Sequence, residues 1–347
     1  MAEIDQYFNF LINKNGSDLH LEEGQKAKIR INGQLSEIDN QILTRQNLIK
    51  LMSNIVSKKD WQQFETNGDL DFAYSLGNQA RLRGNYYRHV KGIGAIFRLV
   101  PSKIYTKEEL NLPDCLNEIT KWRSGLVLIT GATGSGKSTT LATIIDHINQ
   151  NYSYKIITIE DPVEFTHSRK KSIISHREIG NDTASFANGL RHAIKSDVNI
   201  ILVGEMRDME TMELALTASE MGILVFSTLH TSSATKTIDR ILDTFPNNRK
   251  NQIRTILANN LRAIITQQLI PSQDMTRRYA AFEVLLRTPG LSYIIQTGET
   301  YRLNSEIQTN RYQGMMLMDD SLMDLVKAEK ISKEVAFMRA IEKQRFA

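Results

Sequence analysis

One cysteine, Cys115, stands among 347 residues, so no internal disulfide can form and no Cys/His spacing suggests zinc; a reducing cytoplasm fits. No apolar run approaches the roughly 18 residues that span a bilayer, and the opening Met1-Ala2-Glu3-Ile4-Asp5-Gln6 lacks a basic region followed by an apolar core. Direct membrane insertion is therefore not expected, and any membrane association must come through a partner. A basic stripe with interleaved aromatics is also missing, which leaves nucleic acid without support as a partner. No Asn-Lys-x-Asp base-reading motif occurs, so ATP is expected rather than GTP. The net charge of +4 is spread along the chain, as on an ordinary solvated surface.

With 41% hydrophobic and 24% charged residues, the chain has the composition of a globular protein, long enough for two domains. In residues 4–12, Tyr7, Phe8, Leu11 and Ile12 share one helical face, and Gly16 ends that helix. Alternation at Leu19 and Leu21, then at Ile29 and Ile31 before an Asn32-Gly33 turn, predicts a hairpin or meander. His20 lies in that alternating strand, where a lone histidine is ordinarily structural. Residues 44–64 read as one helix, and stretches at 69–74, 81–85 and 95–98 as further strands. These compose an α+β domain over residues 1–100, followed by a linker over 101–113 bounded by Pro101 and Pro113. Residues 114–347 then alternate strands with helices, the pattern of a parallel sheet with crossovers.

The stretch Gly131-Ala132-Thr133-Gly134-Ser135-Gly136-Lys137-Ser138 fits the P-loop pattern. An apolar strand, 125–130, precedes it, and Leu141, Ile144, Ile145 and Ile148 follow at helical spacing. The glycines let backbone N–H groups close around phosphate oxygens, and the helix N-terminus adds partial positive charge. Lys137 would reach the β- and γ-phosphates and Ser138 would ligate Mg²⁺, while Thr139 and Thr140 open the helix near the α-phosphate.

Three further segments each follow an apolar strand, which places them at the carboxyl edge of an open α/β sheet beside the P-loop. In Glu160-Asp161-Pro162-Val163-Glu164 a carboxylate can orient or deprotonate the attacking water or hold a water on Mg²⁺; a solvated acidic turn is the alternative. Val203-Gly204-Glu205-Met206-Arg207-Asp208 has the form of the Mg²⁺-side strand of P-loop ATPases, with Gly204 and Glu205 replacing the commoner Asp. Thr228-Leu229-His230-Thr231-Ser232 ends a strand on an imidazole that can hydrogen-bond the γ-phosphate. Phosphoryl transfer also needs arginine, and Arg81, Arg83, Arg98, Arg191 and Arg207 are candidates.

Taken in order, 17–21, the P-loop, 160–164, 203–208 and 224–233 closely resemble the PilT-type pilus-retraction ATPases of the secretion ATPase superfamily, from near residue 4 to about residue 340. The resemblance implies a PAS-like N-terminal domain and a RecA-like ATPase domain with a C-terminal helical region, assembled as a hexameric ring. It implies a motor of type IV pilus retraction and twitching motility, held at the inner membrane by a pilus platform protein, with a second retraction ATPase as a further partner. Glu160, Asp161 and Glu164 match the family's Asp box, Glu205 its atypical Mg²⁺ motif and His230 its His box. Arg81, Arg83 and Arg98 match the N-terminal arginines that approach the phosphates. The tail, 305–322, resembles the family as well; Met315, Met316 and Met318 within it read as core filler.

Four positions depart from the family. Ile223 stands where the first His of the His box is usual, His176 replaces a Gln, and Lys195 replaces an Arg. Gly290-Leu291-Ser292-Tyr293-Ile294-Ile295 takes the place of an Ala-Ile-Arg-Asn-Leu-Ile helix linked with retraction. These departures keep open an accessory, PilU-like ATPase or a non-motor scaffold ring. A related secretion ATPase is a further alternative, although extension ATPases often carry a zinc-binding cysteine set.

Overall fold

Alternating burial along the first hundred residues builds one antiparallel sheet. The computed structural model describes residues 2–31, 34–77, 79–100, 103–274 and 277–347, and of Asp39 the backbone alone. The expected Asn32-Gly33 turn and Pro101 at the linker's start lie outside the described residues. Two units are present, Met1–Lys103 with Pro162–Thr166, and Ile104–Asp161 with His167–Ala347.

In the first unit β1 (Asp18–Glu22), β2 (Lys26–Ile31), β3 (Gln34–Ile42), β4 (Asp69–Leu76), β5 (Ala80–His89) and β6 (Gly92–Val100) lie in the order β3-β2-β1-β6-β5-β4. Leu19 and Leu21 of β1 and Ile29 of β2 are buried with Phe8 and Leu11 of the helix Asp5–Asn13. The single helix expected over 44–64 is two, Arg45–Ser53 and Lys58–Asn67. Ser57 starts the second by accepting from Asp60 N, so a cap signal inside the apolar pattern divides it. Strand β3 had no counterpart in the sequence reading, because Gln34-Leu35-Ser36-Glu37 lies on the surface with Leu35 48% exposed, and carries little burial pattern to read.

The second unit holds β7 (Gly125–Thr130), β8 (Lys155–Glu160), β9 (Ile173–Glu178), β10 (Ile200–Val203), β11 (Leu224–Leu229), β12 (Leu261–Pro271) and β13 (Arg278–Leu286), in the order β13-β12-β7-β11-β10-β8-β9. Every pair is parallel except β12 with β13. All six residues of β7 are buried, as befits a strand covered on both faces. The register sets Ile159, Val203, Ser227 and Leu128 level across four strands. Residues 104–113 pack with this unit: Leu112 is buried in its core, and Thr143 Oγ1 donates to Tyr105 O. At the C-terminus, Met318, Leu322, Ile331 and Phe346 bury against Ile270 and Ala281. Met315 and Met318 are buried at 2% and 1% exposure, in keeping with filler rather than a binding surface.

Candidate nucleotide site

The loop after β7 is shaped by backbone that a side chain would disrupt. Gly131, Gly134 and Gly136 have φ of +141°, +77° and +90°. A Cβ on Gly131 would lie 2.3 Å from Gln267 O and 2.6 Å from Ser135 Oγ, so the chain turns there only without one. The helix that follows, Lys137–Asn151, has no side-chain cap, whereas Ser185, Asp208, Ser233 and Thr288 each cap their own helices. Its first N–H groups are thus left to a ligand, and a helix start of this kind favours an anion. Ser135 Oγ is buried within the loop without a hydrogen-bond partner among the described residues, a donor that phosphate oxygen would satisfy. The cradle fits phosphate on all three grounds.

Lys137 is 8% exposed, and its Nζ donates to Gly131 O at 2.8 Å and Ala132 O at 3.0 Å. From there a polar chain crosses to the neighbouring strands. Lys137 Nζ lies 3.5 Å from His230 Nδ1, His230 Nε2 lies 3.3 Å from Glu205 Oε1, and Arg207 Nε donates to Glu205 Oε2 at 2.8 Å. Thr133 Oγ1 also lies 3.4 Å from His230 Nδ1. A neutral imidazole protonated on Nε2 satisfies these contacts, donating to the carboxylate and accepting on Nδ1.

Glu205 is held by its neighbours' backbone. Gly204 N donates to Ile159 O, Met206 N to Thr228 O, and Thr228 Oγ1 to Gly204 O at 2.6 Å. Asp208 instead caps the helix Met209–Glu220 through Thr211 N. Ser138 is exposed at the helix start. Among the described residues no group of three His, Cys, Asp or Glu side chains gathers to cage a metal. One hydroxyl and one carboxylate are a donor set that suits Mg²⁺, which keeps several waters when bound with phosphates.

Glu160 ends β8, with Oε1 3.9 Å from His176 Nδ1. His176 stacks on His167 at 5.4 Å, lies 2.9 Å from Thr158 Oγ1, and accepts from His167 N. Glu164 belongs to Pro162–Thr166, which goes with the first unit, while Glu160 belongs to the second. In the first unit Arg83 stands opposite Arg98 across β5 and β6, and Arg81 lies two residues from Arg83 on the same strand face. Arg98 Nε donates to Asp18 Oδ1 at 2.8 Å. Burial alone would raise the Asp18 carboxyl, but the Ser17 hydroxyl and Arg98 outweigh it and hold it below the usual carboxylate range. Arg191 pairs with Glu210 and Arg207 with Glu205, both within the second unit.

Thr140, expected near the α-phosphate, is 1% exposed and its hydroxyl donates to Gln267 Oε1 at 2.8 Å. Gln267 itself was not singled out by the sequence. It is 3% exposed on β12, with its Nε2 2.8 Å from where a Cβ on Gly136 would stand, so it braces both ends of the loop. Its signal was the polar Thr266-Gln267-Gln268 inside an otherwise apolar strand. Glu283 was missed for the same reason: it is 2% exposed on β13 and accepts from Ala234 N at 2.6 Å, fixing the helix that follows His230. Beside Gly136 and Thr139 opens a cavity of about 550 Å³, walled by Leu110, Gln267, Leu269 and Tyr279.

Of the altered family positions, His176 touches Glu160, whereas Ile223 and the 290–295 helix lie elsewhere. Ile223 is 7% exposed and precedes β11, at the strand end opposite His230, roughly 20 Å away at 3.3 Å per residue. Ser292 Oγ donates to Ala258 O at 2.8 Å, while Tyr293 is 55% exposed. The helix Pro289–Thr297 therefore buries Leu291, Ile294 and Ile295 and turns its tyrosine outward.

The chain matches the type II/IV secretion system protein family over residues 2–344. It belongs to that family. Among relatives, the type IV pilus retraction ATPase PilT of Pseudomonas aeruginosa is 41% identical over 338 residues, covering 97% of this chain and 98% of that protein. The type IV pilus ATPase PilU of the same organism is 33% identical over 97% of this chain and 88% of its own length. A crystal structure of the pilus retraction motor PilT with bound ADP superposes with a TM-score of 0.92 at 38% identity, covering 99% of this chain and 98% of that one. The protein is thus a secretion-family ATPase, with an N-terminal domain and a RecA-like ATPase domain.

Proposed function

We propose that this ATPase powers retraction of a type IV pilus, as a hexameric ring that closes over Mg-ATP and drives removal of pilin from the fibre base. The observation that carries the chemistry is the uncapped P-loop helix facing the Lys137–His230–Glu205–Arg207 chain across adjacent parallel strands. Lys137 and the backbone of residues 131–136 hold the phosphates, with Ser138 and Thr139 at the helix start. Ser138 and Glu205 would hold Mg²⁺, which would supply positive charge against the phosphates. Glu164 positions the attacking water, with Glu160 the alternative for that role, and His230 senses the γ-phosphate. Arg81, Arg83 and Arg98 bring positive charge to the phosphates from the N-terminal domain. Thr140 acts through Gln267, and the 550 Å³ cavity takes the nucleobase. The ring works in the cytoplasm beside the inner membrane, docked through the platform protein and joined by a second retraction ATPase.

An accessory, PilU-like role is the second reading, and the outward Tyr293 and inward Ser292 favour it, since they remove the polar face of the family's helix. The buried place of Ile223, away from the phosphate edge, gives that reading no support. Steady-state ATPase activity of the wild type, Lys137→Ala and Glu164→Ala, with light scattering on each, tests the proposal. An active hexameric wild type with two inactive hexameric variants supports the motor. A wild type that binds ATP yet turns over no faster than Lys137→Ala overturns it in favour of the accessory ring.

A further inference from the structure

Far from the P-loop, Arg123, Arg262 and Arg287 line an open cleft of about 380 Å³ together with Trp122 and Ser124. Strand register fixes its place. β7 begins at Gly125 parallel to β12, which begins at Leu261, and antiparallel β13 ends at Leu286. Ser124, Arg262 and Arg287 therefore meet at the amino edge of β7, and the phosphate loop leaves from its carboxyl edge.

The cleft is built rather than incidental. Arg262 Nε donates to Ser124 O at 3.1 Å, and Arg287 N donates to Arg262 O at 2.8 Å. Gly125 has φ +114°, and a Cβ there would lie 2.4 Å from Arg262 Cγ and 2.6 Å from its Nε. The bare Gly125 backbone thus lets Arg262 lie across the start of β7, where one edge of its guanidinium is spent on Ser124 and the other N–H groups stay available. Among the described residues no Asp or Glu lines the cleft, whereas Arg98, Arg207, Arg249 and Arg302 each have a carboxylate partner. Burial, and then the charge of Arg287, both disfavour the cationic form of Arg262. A guanidinium does not escape this by losing its proton, so the like charges of Arg262 and Arg287 favour an anion beside them.

We infer that this cleft is a binding site for a phosphate-bearing anion, gripped by the guanidinium groups of Arg123, Arg262 and Arg287 against the Trp122 side wall. Three arginines lining one cleft supply planar forks that match the tetrahedral, multiply charged oxygens of phosphate better than a single carboxylate. The phosphate is that of a free anion or of a lipid headgroup, and the chemistry of the cleft is the same for both.

The test uses the full chain saturated with ADP, so that the P-loop is filled. Sodium pyrophosphate is titrated by calorimetry, and in a second arm the protein is floated with phosphatidylcholine vesicles with or without phosphatidylglycerol. Binding in the first arm alone identifies a free anion, and binding in the second alone, or in both, includes the headgroup. In the binding arm, Arg287→Ala and Arg262→Ala each weaken the interaction about tenfold or more, as loss of a charge-assisted hydrogen bond does, and ADP affinity is unchanged. Arg287 is exposed, so its removal reports on binding rather than on folding. Absence of binding in both arms, or binding that survives both substitutions, overturns the inference.

Discussion

His230 Nε2 lies 3.3 Å from Glu205 Oε1 while its Nδ1 faces Lys137 Nζ at 3.5 Å. The imidazole thereby links the residue proposed to grip phosphate to the carboxylate proposed for the Mg²⁺ side. Glu205→Gln keeps the shape and removes the charge. It is expected to lower kcat about 100-fold or more, the usual scale for one electrostatic group aimed at a transition state. His230→Ala is expected to lower kcat with nucleotide affinity within about threefold of wild type. Single-turnover kinetics beside equilibrium titration with a fluorescent ADP checks both; a change confined to affinity would sink the sensing role.

Gln267 offers a second test, because its side chain bonds the Thr140 hydroxyl and lies beside Gly136. Thr140→Val leaves Gln267 Oε1 buried without its donor, and an unsatisfied buried group costs about 1–3 kcal/mol. Gln267→Ala should cost a similar amount and raise the KM for ATP several-fold, because Gly136 loses its brace. The two changes made together should cost clearly less than their sum. Urea unfolding of the two variants and the double variant measures this coupling, and full additivity would show that the pair does not act as one unit.

The buried Glu283 makes stability depend on pH in a direction that follows from its place. Burial pushes its carboxyl above the ordinary value of 4.5, although Ala234 N partly opposes the shift. A raised folded pKa means that the protonated form suits the fold. Stability from this group is therefore full below the unfolded value and declines as pH rises through the folded one. Glu283→Gln keeps an acceptor for Ala234 N and removes the charge. It should be more stable than wild type at pH 8 and no more stable at pH 4. Melting temperatures across that range decide the matter, and a wild-type advantage that grows with pH would reverse the assignment.

Gly131→Ala joins two penalties, a left-handed φ of +141° and a Cβ 2.3 Å from Gln267 O. The backbone term alone is about 1–3 kcal/mol. Nucleotide binding should be lost while circular dichroism still shows a folded protein, since the collision is confined to the loop and β12. Near-normal ADP affinity in this variant would show that the loop has room the structure does not give it.

How legible the site was depended on where each residue's signal lay. Lys137 announced itself through the P-loop pattern and Glu205 and His230 by following apolar strands, and parallel strands bring their carboxyl ends to one edge whatever their sequence separation. Gln267 and Glu283 lie inside strands, and only their burial shows that a polar residue there has a partner to meet. Helix length in 44–64 was misread because apolar periodicity continues across the Ser57 cap. The outer strand β3 escaped because an edge with exposed faces has little hydrophobic pattern. The meaning of Ile223 was likewise not in its motif: a residue counted within a His box lies a whole strand away from the histidine that gives the box its name.

The pairing of β7 with β12 also governs how the protein is made. Thr130 and Thr266, whose hydroxyls meet at 2.9 Å, are 136 positions apart in the chain. At about 5–20 residues per second of synthesis, the wholly apolar core of β7 leaves the ribosome on the order of ten seconds before the strand that covers its second edge. During that interval the future phosphate loop hangs on a strand with an open edge of the kind that other nascent chains can add to. Loss of β12, through truncation or a stalled ribosome, would therefore expose an aggregation-prone edge as well as abolish the nucleotide site.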